Sequence, residues 1–420
     1  MRFIKLKVCR ICGNNNLEKI LDLGDQMLTG IFPKSKEMPL PTIGPLELVK
    51  CTGGSDACGL VQLNHSFNLS EMYGLNYGYR SGLNDQMVAH LTGKVKKALS
   101  FIPIRKGDLV IDIGSNDCTT LKAYPEIEII RVGVDPTGIK FASFYPKNID
   151  LIPQFFSEKL ITKQYPNKKA KIITSFSMFY DLEDPMDFMN QIYKVLDHDG
   201  IWIFEQSYMP EMLKTNSFDT VCHEHLEFYS LEQIHFMCNK TGFKIIDVEF
   251  NDINGGSFSV TVKKSSNQQL IHKNISNILY TEKQARLNTT YPYIEFSKRI
   301  QALKVNFKRF INLEIKKGKK FGALGASTKG NVLLQYYGLT DKDIIAIGEV
   351  NPEKFGCFTP GSWIPIIPED ELLKKNLDYL IILPWHFKKF FIENKKFINQ
   401  TLIFPLPRLS MFKDNKFEFI

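Results

Sequence analysis

Short apolar runs alternate with helix-like stretches through the middle of the chain. Four strands are predicted, at Leu109 to Ile113, Ile129 to Val134, Lys171 to Phe176 and Ile201 to Glu205, and helix-like sequence follows each of them. This alternation is typical of parallel strands in a doubly wound α/β sheet. The rhythm changes at "FKIIDVEF", "NDINGG" and "SFSVTVKK", which predict an antiparallel hairpin at the sheet edge.

The segments on either side of this unit have different patterns. Before it, "FIKLKV" and "GLVQL" predict short strands, and a glycine-rich aromatic loop leads into an amphipathic helix. After Ser265 a long polar stretch is helix-like, and a second α/β unit follows with "KKFGALGASTKGNVLLQYY", "IIAIGEV", "DYLIIL" and "TLIFPL". Because 420 residues exceed what one hydrophobic core usually serves, we predict three domains, at residues 1–75, 76–265 and 266–420.

Composition narrows the class of protein. The chain is 44% hydrophobic and 23% charged, as soluble globular proteins are. Its apolar runs are too short to cross a bilayer and its start lacks a signal-peptide core, so we expect a cytoplasmic protein without a membrane partner. The net charge of +8 comes partly from lysine-rich segments without an arginine-rich aromatic stripe. A nucleic-acid partner is therefore not expected, whereas a small anionic substrate suits the charge. The composition leaves monomer and dimer open.

Four of the eight cysteines form two pairs, each beside a predicted strand. Cys9 and Cys12 lie in "CRIC", and Cys51 and Cys58 enclose "CTGGSDAC". In a chain without an export signal, this spacing favours a metal over disulfides. Four thiolates predict a structural Zn²⁺ site, because they leave no open coordination position. Reduced, unpaired thiols are the alternative.

The first strand and turn of the central unit, "VIDIGSNDCTTL", predict a nucleoside site. A single glycine allows close backbone approach, and a second acid ends the next strand about where a ribose contact is expected. The acidic turn would repel a pyrophosphate and suits a cationic cofactor such as S-adenosylmethionine, so we predict a methyltransferase. The alternative is that the acids only cap helices and turns. The expected cofactor-binding residues are Asp112, Gly114, Asn116, Asp117, Asp135 and Ser177.

Two histidines flank a glutamate in "CHEHLEF", which starts at Cys222. On a strand or extended turn His223 and His225 would share one face, whereas on a helix they would diverge. Methylation of a carbon beside a ketone needs a base with a pKa near neutrality and a group that stabilises the enolate oxygen. We expect His225 to be the base, Glu224 to orient an imidazole and Tyr79 to donate to the oxyanion. Substrate binding alone, or a structural contact, is the alternative for His225.

The second glycine turn, in "GALGASTKGN", predicts an anion site. Backbone N–H groups at a helix start, together with Lys329, suit the diphosphate of a sugar nucleotide. NAD is the competing ligand, and Glu349 lies where a ribose contact would fall, but the glycines do not follow G-x-G-x-x-G.

The ordered blocks of the chain resemble a known family. The cysteine pairs, "LDLGDQMLTGIFP", "YGYRSGLN", "DIGSNDCTTL", "FEQSYMPEML", "HEHLEFYSL", "NGGSFSVTV" and "GALGASTKGN" are similar, in order, to three-domain methyltransferases of nucleotide-linked deoxysugars. The best-described members methylate C3 of a 4-keto sugar. The resemblance implies an N-terminal zinc-binding domain, a central Rossmann-like class I methyltransferase domain and a C-terminal Rossmann-like α/β domain that helps hold the sugar nucleotide.

The resemblance also implies roles for single residues. The four cysteines match zinc ligands, Gly114 and Asp135 match cofactor contacts, and His225 matches the favoured base. With His223 as a further candidate, the catalytic set is His225, Glu224, Tyr79 and His223. The expected substrate contacts are Tyr77, Tyr180, Asp181, Cys222, Asn254, Lys329 and Asn331.

Two positions depart from the pattern of the family. Asp181 follows the strand that ends at Phe176, where similar enzymes tend to have a histidine, and Cys222 stands where a tyrosine often precedes the HEH triplet. These changes leave O-methylation of a sugar nucleotide or sugar phosphate as the first alternative to C-methylation. An NAD-dependent sugar oxidoreductase and a non-catalytic zinc-dependent binding module are the others.

Overall fold

The computed structural model describes residues 3–37, 39–54, 56–73, 78–265 and 273–420. Tyr77, one of the predicted substrate contacts, lies outside these residues. Within the described chain, no helix combines the length and the apolar character that a membrane crossing requires.

The N-terminal part is built on an antiparallel sheet whose last strand comes from the middle of the chain. The sheet has the order β11-β4-β3-β2, and β1 pairs with β5 beside it. Glu227 of β11 pairs with Gln62 of β4, which ties the segment just after the HEH triplet to the first domain. The elements are β1 (Phe3–Lys5), β2 (Leu17–Met27), β3 (Ile43–Cys51), β4 (Val61–Leu63), β5 (His65–Phe67), α1 (Leu69–Met72) and β11 (Glu227–Phe228).

The central part is a seven-stranded sheet with the order β12-β13-β10-β9-β6-β7-β8. Strands β6 to β10 run parallel, and β13 is antiparallel to both of its neighbours. The predicted parallel strands and edge hairpin are therefore confirmed. The elements are α2 (Asp85–Phe101), β6 (Leu109–Ile113), α3 (Thr119–Lys122), β7 (Ile130–Val134), α4 (Gly138–Phe141), β8 (Asp150–Ile152), α5 (Glu158–Gln164), β9 (Ala170–Phe176), α6 (Pro185–Val195), β10 (Leu196–Ser207), α7 (Met209–Thr215), α8 (Leu231–Thr241), β12 (Phe243–Asn251) and β13 (Ser257–Lys264).

Two helices lead to the C-terminal part, a second seven-stranded sheet with the order β16-β15-β14-β17-β18-β19-β20. Its strands are parallel from β16 to β18 and antiparallel after that. The elements are α9 (Lys273–Gln284), α10 (Tyr291–Lys316), β14 (Phe321–Leu324), α11 (Thr328–Tyr337), β15 (Ile347–Glu349), β16 (Ile366–Pro368), α12 (Glu369–Leu373), β17 (Tyr379–Ile382), α13 (Lys388–Glu393), β18 (Leu402–Phe404), β19 (Ser410–Lys413) and β20 (Lys416–Phe419).

One apolar core runs across the three parts. It joins Leu48 of the N-terminal sheet, Phe218 of a short turn before the HEH triplet and Phe404 of the C-terminal sheet. Helix α11 lies inside this core, where the Phe218 ring packs on Tyr336 and Tyr337 with centroids 4.9 Å and 5.7 Å away. Burial of so many large side chains in common stabilises the arrangement of the sheets as well as each sheet.

Candidate active site and zinc centre

The four N-terminal cysteines converge. Their Sγ atoms all lie within 4.8 Å of one another, with Cys9 and Cys58 at 3.4 Å and Cys12 and Cys51 at 3.5 Å. Four sulfurs bound to Zn²⁺ at about 2.3 Å are separated by similar distances, so the donor set fits a tetrahedral Cys₄ site. All four are free thiols, and Cys9, Cys51 and Cys58 are buried, as structural zinc ligands are. Because the site has no open position, its role is structural.

The turn after β6 fits the cofactor. Gly114 has φ +74°, and a Cβ added there would lie 3.1 Å from the Met178 side chain. The turn faces the end of β9, the neighbouring strand, where Ser177 also has a positive φ. The strand order reverses between β6 and β9, and ligands of open α/β sheets bind at such a point.

Asp135 fastens this turn to the end of β7. Its carboxylate accepts hydrogen bonds from the Asn116 backbone N–H at 2.7 Å and from the backbone and side chain of Thr137 at 2.7 Å and 2.6 Å. Each carboxylate oxygen has more than one acceptor site, so a further hydroxyl donor is compatible with these bonds. Asp112 is 2% exposed and accepts from the Thr174 hydroxyl at 2.6 Å, and burial raises its pKa to about 7. Asp112 is therefore bonded to the neighbouring strand β9 and supports the turn from a buried position.

The segment that begins at Gly78 is bound to the same turn. The Asn116 and Asp117 side chains accept hydrogen bonds from the backbone N–H groups of Ser81 and Gly82, each at 3.0 Å. Tyr79 precedes these two residues and is 47% exposed, although protein surrounds its hydroxyl closely enough that burial raises its pKa to about 12. The Tyr79 carbonyl accepts from the Asn116 side-chain amide at 3.2 Å, which places this residue beside the cofactor turn.

The HEH triplet is a turn, in which the His225 backbone N–H donates to the Cys222 carbonyl. The two histidines consequently diverge. His223 is fully buried against the Phe67 ring at 4.6 Å, and its Nε2 lies 3.4 Å from the Gly44 carbonyl. This position, away from His225, does not fit the predicted catalytic role of His223.

His225 keeps one ring nitrogen available. Its Nδ1 lies 2.8 Å from the Thr220 carbonyl, so Nδ1 carries the proton and Nε2 keeps a lone pair. Burial, together with the positive charge of Lys329, lowers the pKa of His225 to about 3. The imidazole is therefore neutral at physiological pH. Its ring packs on Tyr180, with centroids 4.3 Å apart.

Two carboxyl groups accompany His225. Glu224 lies beside the Cys222 thiol and the Thr29 hydroxyl, and its Oε1 would clash with a Cβ on Gly30. Asp181 hydrogen-bonds to Tyr73, and burial raises the pKa of both Asp181 and Glu224. The Cys222 side chain is fully buried in the common core. Among the predicted substrate contacts on this side, Asp181 stays partly accessible, whereas Cys222 does not.

The glycine turn of the C-terminal sheet meets the same site. Lys329, in the first turn of α11, donates to the Asn254 carbonyl of the edge hairpin at 2.5 Å. Asn331 is fully buried and donates to the Thr29 carbonyl at 2.7 Å, so its side chain joins two domains, and its contact with the substrate stays a prediction. Glu349 accepts from the backbone N–H groups of Val350 and Asn351 at 2.8 Å and 3.0 Å.

Two polar residues near this junction were not predicted from the sequence. Asp219 is fully buried and accepts from the Trp385 indole N–H at 2.8 Å. Next to Trp385, His386 has a buried Nδ1 without a hydrogen-bond partner among the described residues, and burial lowers its pKa to about 3. The "PWHF" segment follows β17, so the polar side chain after a buried strand was a usable signal.

Comparison with known proteins gives ordered matches along most of the chain. Three family models match: a putative zinc binding domain over residues 9–73, a methyltransferase domain over residues 87–248 and a C-methyltransferase C-terminal domain over residues 252–407. The C-methyltransferase NovU of Streptomyces niveus is 26% identical over 393 residues, which are 92% of each chain.

Solved methyltransferase structures resemble part of the chain. The Haloferax volcanii complex of the Trm112 activator with a putative methyltransferase matches with a TM-score of 0.36 and 14% identity, covering 44% of this chain and 95% of the other. A putative methyltransferase from Bacillus halodurans matches with a TM-score of 0.33 and 12% identity, covering 41% and 100%.

The cofactor turn, the cysteine cluster and the ordered matches define an S-adenosylmethionine-dependent methyltransferase with a structural zinc centre. The chain contains, in order, the zinc-binding, methyltransferase and C-methyltransferase C-terminal domains that these models describe, and it resembles the C-methyltransferase NovU along most of its length. The recognition made from the sequence is thus confirmed for the family and for both cofactors.

Proposed function

We propose that this enzyme methylates a carbon beside the ketone of a nucleotide-linked keto-deoxysugar, with His225 as the base. The observation that carries the proposal is the bond between His225 Nδ1 and the Thr220 carbonyl. It fixes the tautomer whose Nε2 can accept a proton. The likeness to NovU, named a C-methyltransferase, supports transfer to carbon.

In the proposed mechanism, S-adenosylmethionine supplies a methyl group on a sulfonium, which already carries a good leaving group. Gly114, Asn116, Asp117, Asp135 and Ser177 would hold it at the carboxyl ends of β6, β7 and β9. The chain's remaining task is to make the acceptor carbon nucleophilic.

His225 Nε2 takes the proton from the carbon beside the ketone. The electron pair of that C–H bond becomes the enolate double bond, and the carbonyl π pair moves onto the oxygen. The enolate carbon then forms its bond to the methyl group, while the carbon–sulfur pair stays on sulfur. Glu224 lies next to the base in the turn, and Tyr79, Tyr180, Asp181 and Asn254 are the proposed substrate contacts. His225 is neutral and can accept a proton, and because its lowered pKa makes it a weaker base than a free imidazole, the step depends on stabilisation of the enolate oxygen.

Sugar-nucleotide binding would use the junction of the central and C-terminal domains, where Lys329 meets the Asn254 carbonyl. The glycine turn and the backbone N–H groups at the start of α11 suit the anionic part of the substrate. O-methylation is the second candidate, favoured by Asp181, because a carboxylate beside the site can accept a hydrogen bond from a hydroxyl.

The test is turnover of a panel of keto and hydroxy sugar nucleotides with methyl-labelled cofactor, followed by mass spectrometry and carbon NMR of the product. We expect a new carbon–carbon bond. A methyl on oxygen would contradict the proposal and support the second candidate.

His225→Asn should lower kcat about 100-fold or more, the size expected for loss of a general base, with S-adenosylmethionine affinity unchanged in calorimetry. The surface variant His198→Asn, whose side chain is 83% exposed, is the matched control and should keep full activity. Near-normal turnover of His225→Asn would remove this residue from the role of base.

A further inference from the structure

The site around His225 holds several carboxyl groups and needs a cation. Glu224, Asp181 and Asp219 are all protonated more readily than usual because burial raises their pKa. Among the described residues, Lys329 is the cation whose charge lowers the pKa of His225. The ammonium group that acts on this region comes from the C-terminal domain, at Lys329.

The packing of α11 fixes where Lys329 lies. The helix packs on the short turn Phe218–Thr220, through the Phe218 contacts with Tyr336 and Tyr337. The same turn supplies the Thr220 carbonyl that holds His225. The start of α11 also meets the HEH triplet, since a Cβ on Gly30 would touch Glu224 and lie 3.7 Å from the Thr328 hydroxyl.

The charge of Lys329 is poorly neutralised. Among the described residues it has no carboxylate within ion-pair distance, and the hydrogen bond to the Asn254 carbonyl uses one of its three N–H donors. Burial lowers the pKa of Lys329, while Asp219 and Cys222 favour its charged form. A buried ammonium with one neutral acceptor is costly without a ligand that carries negative charge.

We propose that Lys329 stabilises the enolate oxygen of the substrate beside His225, and that it does not serve the diphosphate. This inference rests on the proposed function. The ketone oxygen belongs to the carbon next to the one that loses its proton, so base and oxyanion donor have to lie close together. The diphosphate is attached farther along the ring, at the anomeric carbon.

Charge and atoms balance in this step. The proton moves from carbon to His225 Nε2, and the negative charge that develops on the oxygen is met by an N–H of the Lys329 ammonium, which keeps its proton. C–C bond formation then returns the electron pair from oxygen to carbon, and the hydrogen bond weakens. The interaction strengthens only as charge develops, which is what lowers a barrier.

The test compares Lys329→Met with Tyr79→Phe, because Tyr79 is the other candidate donor, and with the exposed Lys342→Met as control. Three quantities are measured: deuterium uptake at the carbon beside the ketone of UDP- and dTDP-4-keto-6-deoxyglucose, kcat and KM, and binding of UDP and dTDP alone by calorimetry. Lys329→Met should slow deuterium uptake and kcat about 100-fold or more, with UDP and dTDP affinity within about threefold of the unmodified enzyme. Lys342→Met should change none of them.

The pH profile gives an independent readout. The groups around His225 are Lys329 and His386 from the C-terminal domain and Asp181, Cys222, Asp219 and Glu224 from the central domain. Since the charge of Lys329 lowers the pKa of His225, its removal should move the acidic limb of kcat/KM to higher pH. Lys329→Arg keeps the charge and should keep that limb in place.

Loss of UDP and dTDP affinity in Lys329→Met, with kcat retained, would overturn the inference and assign the residue to the diphosphate. A large loss of deuterium uptake in Tyr79→Phe but not in Lys329→Met would overturn it in favour of Tyr79. If Lys329→Met does not fold, Lys329→Gln answers the same question. Failure of the proposed function is distinct, because then the unmodified enzyme would neither exchange nor methylate any keto sugar nucleotide.

Discussion

The two glycine turns of this enzyme have the same local form and different surroundings. Gly114 and Gly325 both follow a parallel strand, both have a positive φ (+74° and +84°), and both donate their N–H to a neighbouring strand's carbonyl, at 2.8 Å and 2.9 Å. Around Gly114 the polar side chains bond within the central domain and to the adjoining segment of Ser81. After Gly325 they reach into other domains, from Lys329 to the Asn254 carbonyl, for example.

The difference shows that a strand, a glycine and a helix do not define a ligand by themselves. The turn at Gly114 carries acidic side chains that bond to backbone groups of the same domain, as Asp135 does to Asn116, and this acidic character suits a cationic cofactor. The second is a junction, where α11 touches the end of the N-terminal sheet through Gln335 and Met27 and the central domain through Lys329. We infer that the second turn completes the active site by bringing a charge to it.

The largest expected effect is a loss of cofactor affinity when the glycine of the first turn, but not that of the second, is replaced by alanine. Gly114→Ala forces a side chain into a left-handed conformation, at a cost of about 1–2 kcal/mol, and places a Cβ against Met178. We expect S-adenosylmethionine affinity, measured by calorimetry, to fall about tenfold or more. Gly325→Ala is the matched variant, since its Cβ would meet Pro384 at 2.7 Å. It should lower the thermal midpoint but leave the affinity of the folded protein unchanged. Equal losses of S-adenosylmethionine affinity in both variants would contradict the conclusion that only the Gly114 turn binds the cofactor.

A smaller effect is expected at the junction itself. Asn331→Ala leaves the buried Thr29 carbonyl without its donor, which should lower the free energy of unfolding by about 1–3 kcal/mol. Cofactor affinity should not change. Asn312, which is exposed on α10, provides the control Asn312→Ala, expected to lie within about 0.5 kcal/mol of the unmodified protein. Chemical denaturation measures both, and an unchanged stability for Asn331→Ala would mean that α11 is not fastened through this bond.

Much of the architecture was predictable because its signals are local. The C-x₂-C pair, the four apolar strands and the acidic glycine turn each depend on residues close together in the chain, and the structure confirms these elements. Helix α10 and the edge hairpin follow from the same kind of pattern.

The site was less predictable because burial is decided by contacts distant in sequence. Cys222 and Asn331 were predicted as substrate contacts, and the structure places Cys222 in the common core and the Asn331 side chain on the Thr29 carbonyl of the N-terminal part. His386 was missed because its neighbourhood exists only when β17 lies beside β14. The roles of His225 and its neighbours stay predictions until variants are measured.

The two histidines of the HEH triplet also have different surroundings: His225 lies near the C-terminal glycine turn, whereas His223 is packed against the N-terminal sheet. Burial lowers the pKa of His223 to about 4 from an ordinary value of 6.5, so between these values the unfolded chain binds a proton that the folded protein does not. The free energy of unfolding is therefore not reduced by His223 above pH 6.5, and it falls as the pH is lowered towards 4, by up to about 1.4 kcal/mol per pH unit.

The variant His223→Asn removes this pH dependence, and it also removes the packing on Phe67. We therefore expect the variant to be less stable at pH 7 and the gap to the unmodified protein to narrow from pH 6.5 to 4. Denaturant titrations across that range measure the gap, with His198→Asn as an exposed control that should show none. A constant gap would mean that His223 can be protonated in the folded protein, and its burial against the N-terminal sheet would then not explain why only one histidine of the triplet is free to act as a base.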